Sequence, residues 1–466
     1  MIGAYLDPTG APPDRPQLSA MDAATRGLHE GIDAAMHRTG VPYLHPDGET
    51  IQLDLLGSGP MVRWQERKQE LMFLGSACWS EQPQIYGRYG TTVSRRLLAW
   101  VRELEGAEAA VLTDTGMQAC ALLFDALLEP GDHVACARGV YNKSKAYLSR
   151  LTTLLGGELT LVDDLSHAGL AAALRPETRL LFVETYTNPL MRAVDPEALA
   201  RAVGEVRAAG GVRLVVALDS TIASPWGLAE PALRWEGVDV AVVSGTKALA
   251  GQDRDMWGYL ASDDVRLLNG VMDLQAMRGG IADWRRATVI LDGLGQAQSR
   301  FRRRCATARA VTAFLAAHPL VEAVFHPTAP GHPDAAVIAR HYTEPGSIVS
   351  FRLRDADEAE TRHFCDVLAM CGVLRYALSF DGLATKLNHH RSVSEYFTAE
   401  EEVRRIGVDR LVRLGIGVEH PDDLIACLNW ALWHREDVGA PEVEAWQAER
   451  AASLGLASPG SLGYPL

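Results

Sequence analysis

Nowhere in the 466 residues do 18 apolar residues follow one another, so nothing in the chain reads as a membrane span. The opening stretch, MIGAYLDPTGAPPDRPQ, lacks the basic and apolar regions of a secretory signal, and we expect a cytoplasmic protein. Paired cysteines are missing too. Cys78, Cys120, Cys136, Cys305, Cys365, Cys371 and Cys427 form no CxxC pair and are odd in number, which fits reduced thiols better than a disulfide framework. Positive charge is in deficit: 45 Lys and Arg against 59 Asp and Glu leave a net charge of −14, which argues against nucleic acid or an anionic membrane as partner. One basic cluster, Arg300-Phe301-Arg302-Arg303-Arg304, sits in a helical pattern and reads as a solvated or subunit-facing face. Metal-ligand spacing is absent as well. His389 and His390 are adjacent, so on a regular element they point apart, and we expect no metal site.

What the chain does have is length for two or three domains and a repeated strand–helix alternation from about Glu108 to Tyr259. That alternation predicts an α/β fold with a mostly parallel sheet wrapped by helices. Residues 1–84 read as an N-terminal arm, rich in Pro and Gly over its first 18 residues, with a helical pattern from Ala20 to Ala35. Residues 85–290 form the expected large domain and 291–437 a smaller α/β domain. In the latter a long helix is predicted over Thr288–Ala316, strands over Val321–Phe325 and Ser347–Leu353, and a helix over Ala356–Met370. Residues 438–466 read as a polar tail that packs on another subunit or frays.

Two strand ends stand out. The apolar run Leu214–Leu218 ends in Asp219, and Val238–Val243 ends in Ser244-Gly245-Thr246-Lys247. In an open α/β sheet both would reach the edge at which such sheets bind ligands. A buried acid and an amine are what pyridoxal 5'-phosphate (PLP) requires: the lysine forms a Schiff base, and the acid keeps the pyridine nitrogen protonated. Taken alone, the pair also fits a helix-capping Asp and a solvated Lys.

Asp219-Ser220-Thr221 followed by Ser244-Gly245-Thr246-Lys247 resembles the signature of the Cys/Met-metabolism (transsulfuration) PLP enzymes, which include cystathionine synthases and lyases, methionine γ-lyase and homoserine sulfhydrylases. Other motifs come in the family's order from Tyr86 to Leu432. Tyr86-Gly87-Arg88 resembles Tyr-Ser-Arg, which in the family reaches the cofactor phosphate from the adjacent subunit, although Thr91-Thr92-Val93 replaces the family's Asn-Pro-Thr. Thr115-Gly116-Met117 stands where Ser-Gly-Met cradles that phosphate at a helix N-terminus. Tyr141 matches the tyrosine that stacks on the pyridine ring. Asn142-Lys143-Ser144 departs from the family there, and Lys143 is either a substrate contact or a solvated side chain.

Glu184-Thr185-Tyr186-Thr187-Asn188-Pro189 resembles Glu-Thr-Pro-Ser-Asn-Pro, which places Asn188 against the cofactor's 3-oxygen and the substrate carboxylate and Tyr186 beside the ring. Asp292 stands where the family has arginine, reversing any ion pairing at that position. Ser379-Phe380-Asp381-Gly382 resembles Ser-Leu-Gly-Gly, and Leu411–Glu419 resembles Leu-Leu-Arg-Leu-Ser-Val-Gly-Ile-Glu. Arg413 becomes the candidate clamp on the substrate α-carboxylate, with Ser379 beside it. The segment Ala384–Ser394, which lines the substrate side-chain pocket in the family, departs most.

The resemblance implies a fold type I PLP enzyme with PLP covalent on Lys247, catalytic Lys247, Tyr141 and Asp219, and a cofactor shell that also includes Thr221, Ser244 and Thr246. It further implies a homotetramer, a dimer of dimers with shared active sites. The implied reaction is γ-elimination on a γ-substituted L-amino acid in specialised amino-acid metabolism, through an internal aldimine, a quinonoid and a β,γ-unsaturated intermediate. The alternative is γ-replacement of the cystathionine γ-synthase or O-acetylhomoserine sulfhydrylase type. A non-catalytic relative that keeps only the fold is a remote third reading; it predicts loss of the lysine or the carboxylate clamp, and Lys247 and Arg413 are both present.

Overall fold

The computed structural model describes residues 87–250 and 252–453, with Ser19, Ala23, Gly27, Glu30 and Gly455 besides. Apart from those isolated positions, the expected N-terminal arm, Tyr86 and the last residues of the tail lie outside the described residues.

The chain enters through α1 (Thr92–Glu105), β1 (Ala109–Thr113), α2 (Gly116–Leu127), β2 (His133–Ala137), α3 (Asn142–Leu154) and β3 (Glu158–Val162). It continues through α4 (His167–Ala173), β4 (Thr178–Glu184), α5 (Pro196–Ala209), β5 (Val215–Asp219), β6 (Val240–Val243) and β7 (Gly258–Ser262). These strands form a seven-stranded sheet in the order β1-β7-β6-β5-β4-β2-β3. Only β7 runs against its neighbours, β1 and β6. Leu180 to Val183 and Val215 to Leu218 are buried without alternation, as expected of parallel strands covered on both faces. Register sets where the strands stop. Glu184 pairs with Asp219 across β4 and β5, and Asp219 with Val242 across β5 and β6, so three strands end at one level.

Then come α6 (Val265–Arg278), α7 (Trp284–Leu294), α8 (Ala297–Ala317), β8 (Val321–Phe325), α9 (Ala335–His341), β9 (Ile348–Leu353) and α10 (Glu358–Ala369). The chain closes through β10 (Arg375–Tyr376), β11 (Lys386–His389), α11 (His390–Ser394), α12 (Glu400–Ile406), β12 (Val412–Gly415), α13 (Pro421–His434) and α14 (Ala440–Ser453). A second sheet, β10-β11-β12-β9-β8, has its own core of Val349, Phe351, Phe364, Leu387 and Leu414 packed against α8, α10 and α13. Among the described residues no helix is long and apolar enough to cross a membrane.

Three sequence expectations need correction. The long helix over Thr288–Ala316 is two helices, α7 and α8, broken at Gly295 and Gln296. The basic cluster is not one solvated face: Phe301 and Arg304 are fully buried while Arg302 and Arg303 are exposed, because the cluster covers about a full turn of α8. The tail does not fray from residue 438, since residues 440–453 are helical and Val443 packs into the small-sheet core.

One buried acid in this frame is independent of the site. Glu105 ends α1, is fully buried, and accepts a hydrogen bond from the Tyr259 hydroxyl at 2.6 Å. Burial pushes its carboxyl from 4.5 up to about 7, against the lowering effect of Tyr259. Above pH 4.5 the unfolded chain releases this proton while the folded chain keeps it to about pH 7, so this group's contribution to stability falls as pH rises through that window. Glu105→Gln should therefore flatten the fall of unfolding free energy between pH 5 and 7 and exceed the parent at pH 8 by on the order of 1–3 kcal/mol. Urea unfolding at several pH values measures this; a slope unchanged by the substitution would count against it.

Candidate active site

Where β4, β5 and β6 end, a cavity of about 460 Å³ opens between the large sheet and the loop that precedes β11. Its wall includes Thr115, Gly116, Met117, Tyr141, Asn188, Asp219, Thr221, Ser244, Thr246, Lys247, Ser379 and Arg413. Residues from motifs spread over some 300 positions of sequence thus meet in one place.

Of the expected cofactor and substrate residues that are described, one is not on that wall. Arg88 is exposed and donates from Nη1 to the Ala276 carbonyl at 3.0 Å, and Tyr86 lies outside the described residues. Tyr186 does not stand beside the cavity either. It is fully buried against Tyr342, with ring centroids 4.7 Å apart, so that part of the resemblance is corrected. Glu184 and Asn188, two residues to either side, both line the cavity, so the backbone beyond β4 does not keep strand alternation, and the Tyr186 ring falls on the core side. Asp292 is exposed and makes no ion pair among the described residues.

Asp219 is the last residue of β5, and burial pushes its carboxyl up to about 6. Its Oδ1 accepts the Thr221 N–H at 2.8 Å, and the Thr221 hydroxyl accepts the Ser244 N–H at 2.8 Å, so the ends of β5 and β6 are tied through one threonine. Glu184, beside it at the end of β4, opens a family-like motif whose resemblance assigns it no role in the site. Burial, then the nearby Asp219, raises its carboxyl well above the usual range, and its Oε1 accepts the Tyr141 N–H at 2.6 Å. The signal that marks Asp219, an acid closing an apolar strand, marks Glu184 equally.

Lys247 lies in an irregular turn, Thr246–Ala250, with φ −83° and ψ −117°. Its Nζ donates to Ser379 Oγ at 3.0 Å and stands 5.2 Å from the Phe380 ring centre. Burial pulls its ammonium down to about 8. The turn is held by Thr246, whose hydroxyl donates to the Trp257 carbonyl at 3.2 Å and accepts the Trp257 N–H at 3.1 Å. Opposite, Arg413 donates to Asn188 Oδ1 at 3.2 Å and to the Leu378 carbonyl at 2.9 Å, and burial lowers it to about 10.

Thr115 caps α2, its hydroxyl accepting the Gln118 N–H at 3.1 Å. The amides of Gly116 and Met117 have no carbonyl to pair with inside the helix, the arrangement by which helix N-termini can accept an anion. A Cβ on Gly116 would stand 2.5 Å from Ser244 Cβ, so only glycine allows α2 to approach the end of β6 this closely.

The donor set fits PLP: amides and hydroxyls for a phosphate, a buried acid for a pyridine nitrogen, a buried amine for an aldehyde, and a guanidinium for an amino-acid carboxylate. A sheet of this topology with this set of groups at its edge defines a fold type I PLP enzyme. Residues 69–433 match the family described as Cys/Met metabolism PLP-dependent enzyme, and the chain belongs to it. It is 31% identical to L-methionine gamma-lyase of Fusobacterium nucleatum over 359 residues, 76% of this chain and 87% of that enzyme. With the O-succinylhomoserine sulfhydrylase of Mycobacterium tuberculosis it shares 29% over 405 residues, 84% and 98% of the two chains. The crystal structure of cystathione gamma lyase (CalE6) from Micromonospora echinospora superposes with a TM-score of 0.68 at 30% identity, over 76% of this chain and 89% of that one.

The rest of the cavity wall comes largely from the two segments that depart from the family pattern. His390, Val393, Ser394, Glu395 and Tyr396 line it, as do Asn142 and Lys143. Lys143 is exposed at the rim, its Nζ 5.4 Å from the Tyr396 ring centre. Among the described residues no group of three or more His, Cys, Asp or Glu could hold a metal ion.

Gly116→Ala tests the close approach at the N-terminal end of α2. The added carbon meets a backbone rather than a flexible tip, so the variant should lose about 1–3 kcal/mol of stability. Its affinity for added PLP should also fall by roughly tenfold or more, about 1.4 kcal/mol, read from visible absorbance. Lowered stability with unchanged affinity would separate this turn from the phosphate.

Proposed function

We propose that the protein holds PLP on Lys247 and catalyses γ-elimination from a γ-substituted L-amino acid. The observation that carries this reading is Lys247 itself: a buried amine, depressed to about 8, sharing one cavity with Asp219 and Arg413. In this reading the α2 amides, Ser244 and Thr246 hold the phosphate, Asp219 and Thr221 the pyridine side, and Asn188 the 3-oxygen. PLP, when bound, supplies an electron sink for an amino acid joined to it.

The chain's own groups do the rest. Arg413, steadied by Asn188 and the Leu378 carbonyl, grips the α-carboxylate and aims the α-hydrogen. Asp219 keeps a proton on the pyridine nitrogen. Lys247 Nζ has an appreciable neutral fraction near pH 8; it takes the α-proton and then moves a proton at the β-carbon. Tyr141, whose hydroxyl burial keeps protonated, donates to the group leaving the γ-carbon.

γ-Replacement shares every step up to loss of the γ-substituent, and the likeness to O-succinylhomoserine sulfhydrylase supports it as the second reading. Because Arg88 is off the cavity in its own chain, we place it, with Tyr86, at the site of a neighbouring subunit in a homotetramer.

The test is deuterium exchange in full-length protein with PLP, using homocysteine, cystathionine, O-acetylhomoserine and γ-halogenated or allylic amino acids. Exchange at both α- and β-carbons is expected, with keto acid released. Lys247→Ala should remove the exchange, a loss of roughly 10²–10⁴-fold or more. Exchange at the α-carbon alone would exclude γ-chemistry; keto-acid formation that needs an added thiol would favour replacement.

A further inference from the structure

Behind Lys247, off the cavity wall, lies a buried charge pair. Asp381 is 1% exposed and sits in the left-handed region at φ +61°, where the family's Ser-Leu-Gly-Gly has glycine. Its Oδ1 accepts the Ser347 hydroxyl and stands 3.5 Å from Arg304 Nε. Arg304 comes from α8 and is fully buried. Its two terminal nitrogens donate, each at 3.4 Å, to the carbonyls of Gly382 and Ala248.

One guanidinium therefore touches the residue after Asp381, the residue after Lys247, and Asp381 itself. The two residues before Asp381, Ser379 and Phe380, are the ones that meet the Lys247 amine. One residue further back, the Leu378 carbonyl holds Arg413.

Stability alone does not account for this pair. A non-glycine residue in the left-handed region is strained, a buried ion pair rarely outdoes an apolar one, and Asp381 Oδ2 is buried without a partner. Strain of this kind is retained where the surroundings over-determine it, and here they include both reactive-side groups. We propose that Arg304 and Asp381 are positioning residues that lock the 378–382 loop against the Lys247 turn, holding Ser379 and Phe380 at the amine and the Leu378 carbonyl on Arg413. The inference rests on Lys247 being the cofactor's anchor.

The charges felt by Lys247 are Asp381 and Asp253, which raise its proton affinity, and Lys386 and Arg413, which lower it. Loss of the Asp381 charge leaves the two cations ahead, so the amine should release its proton at lower pH. The readout is acetic anhydride labelling of Lys247 across pH in the full-length protein without PLP, where the amine is free, followed by peptide mass spectrometry, with thermal midpoints, and with kcat and KM of the PLP-loaded protein alongside.

Asp381→Asn should move the labelling midpoint down by on the order of half a pH unit or more and cut kcat more than it raises KM. The double variant Arg304→Met/Asp381→Gly removes both buried charges and restores glycine at the left-handed position. It should recover the parent's thermal midpoint while the labelling midpoint and kcat stay low. Recovery of all three, or an unmoved midpoint in Asp381→Asn, would reduce the pair to a structural part and overturn the proposal. Lys247→Ala separates the two readings: a borohydride-reducible aldimine band retained in that variant would overturn the anchor assignment, whereas the labelling shift, read without PLP, tests the influence of Asp381 on the amine.

Discussion

The structure turns on the removal of charged groups from water at one edge of one sheet. Asp219, Glu184, Lys247 and Arg413 all sit in surroundings that disfavour their charged forms, and all four are displaced in the direction burial dictates. A fold tolerates such groups only when each is held by hydrogen bonds or faces a ligand that completes it. Thr221 holds Asp219, the Tyr141 amide holds Glu184, Ser379 holds Lys247, and Asn188 holds Arg413. Each of these bonds is local to a strand end or a loop, so the edge is assembled from parts that the sheet brings to one level.

Register makes that assembly work. With Glu184 level with Asp219, and Asp219 level with Val242, the residues just beyond β4, β5 and β6 reach a common surface. A slip of one residue in any of these strands would turn Asp219 away, because successive side chains face opposite sides. Close approach completes it: Gly116 lies against Ser244, and a Cβ on Gly245 would meet the Trp257 ring at 2.2 Å. The N-terminal end of α2 and the Lys247 turn are thus set by packing as much as by hydrogen bonding.

The strand end at Asp219, the strand end ahead of Lys247 and the helix start at Gly116 are legible in the sequence because they obey local rules. Apolar runs that end in Asp219 or in Ser244–Lys247, and a glycine opening the apolar helix at Gly116, are readable without neighbours. Tyr186 is misplaced by sequence reasoning because alternation along irregular backbone after a strand is not fixed by sequence; the ring goes to Tyr342. Arg304 reads as solvated because the cluster of arginines is continuous along the chain, while a helix distributes it around its circumference. The break between α7 and α8, and the helix over 440–453, are hidden for the opposite reason: both depend on what tertiary packing adds to weak local signals.

The two halves of the cavity therefore obey different physics. One half is carried by strand ends and a helix N-terminus of the large sheet, where a change in one residue disturbs register or close packing. The other half comes from α11, the residues just after it and the first turn of α3. Asn142 reaches across to the Ser394 carbonyl, so the two segments that depart most from the family pattern are bonded to each other. A change in one is felt by the other, while Lys247, Asp219 and Arg413 are held by separate bonds to Ser379, Thr221 and Asn188. The cavity is for this reason built of two separable parts: one fixed by register and close packing at the sheet edge, the other a wall docked onto it.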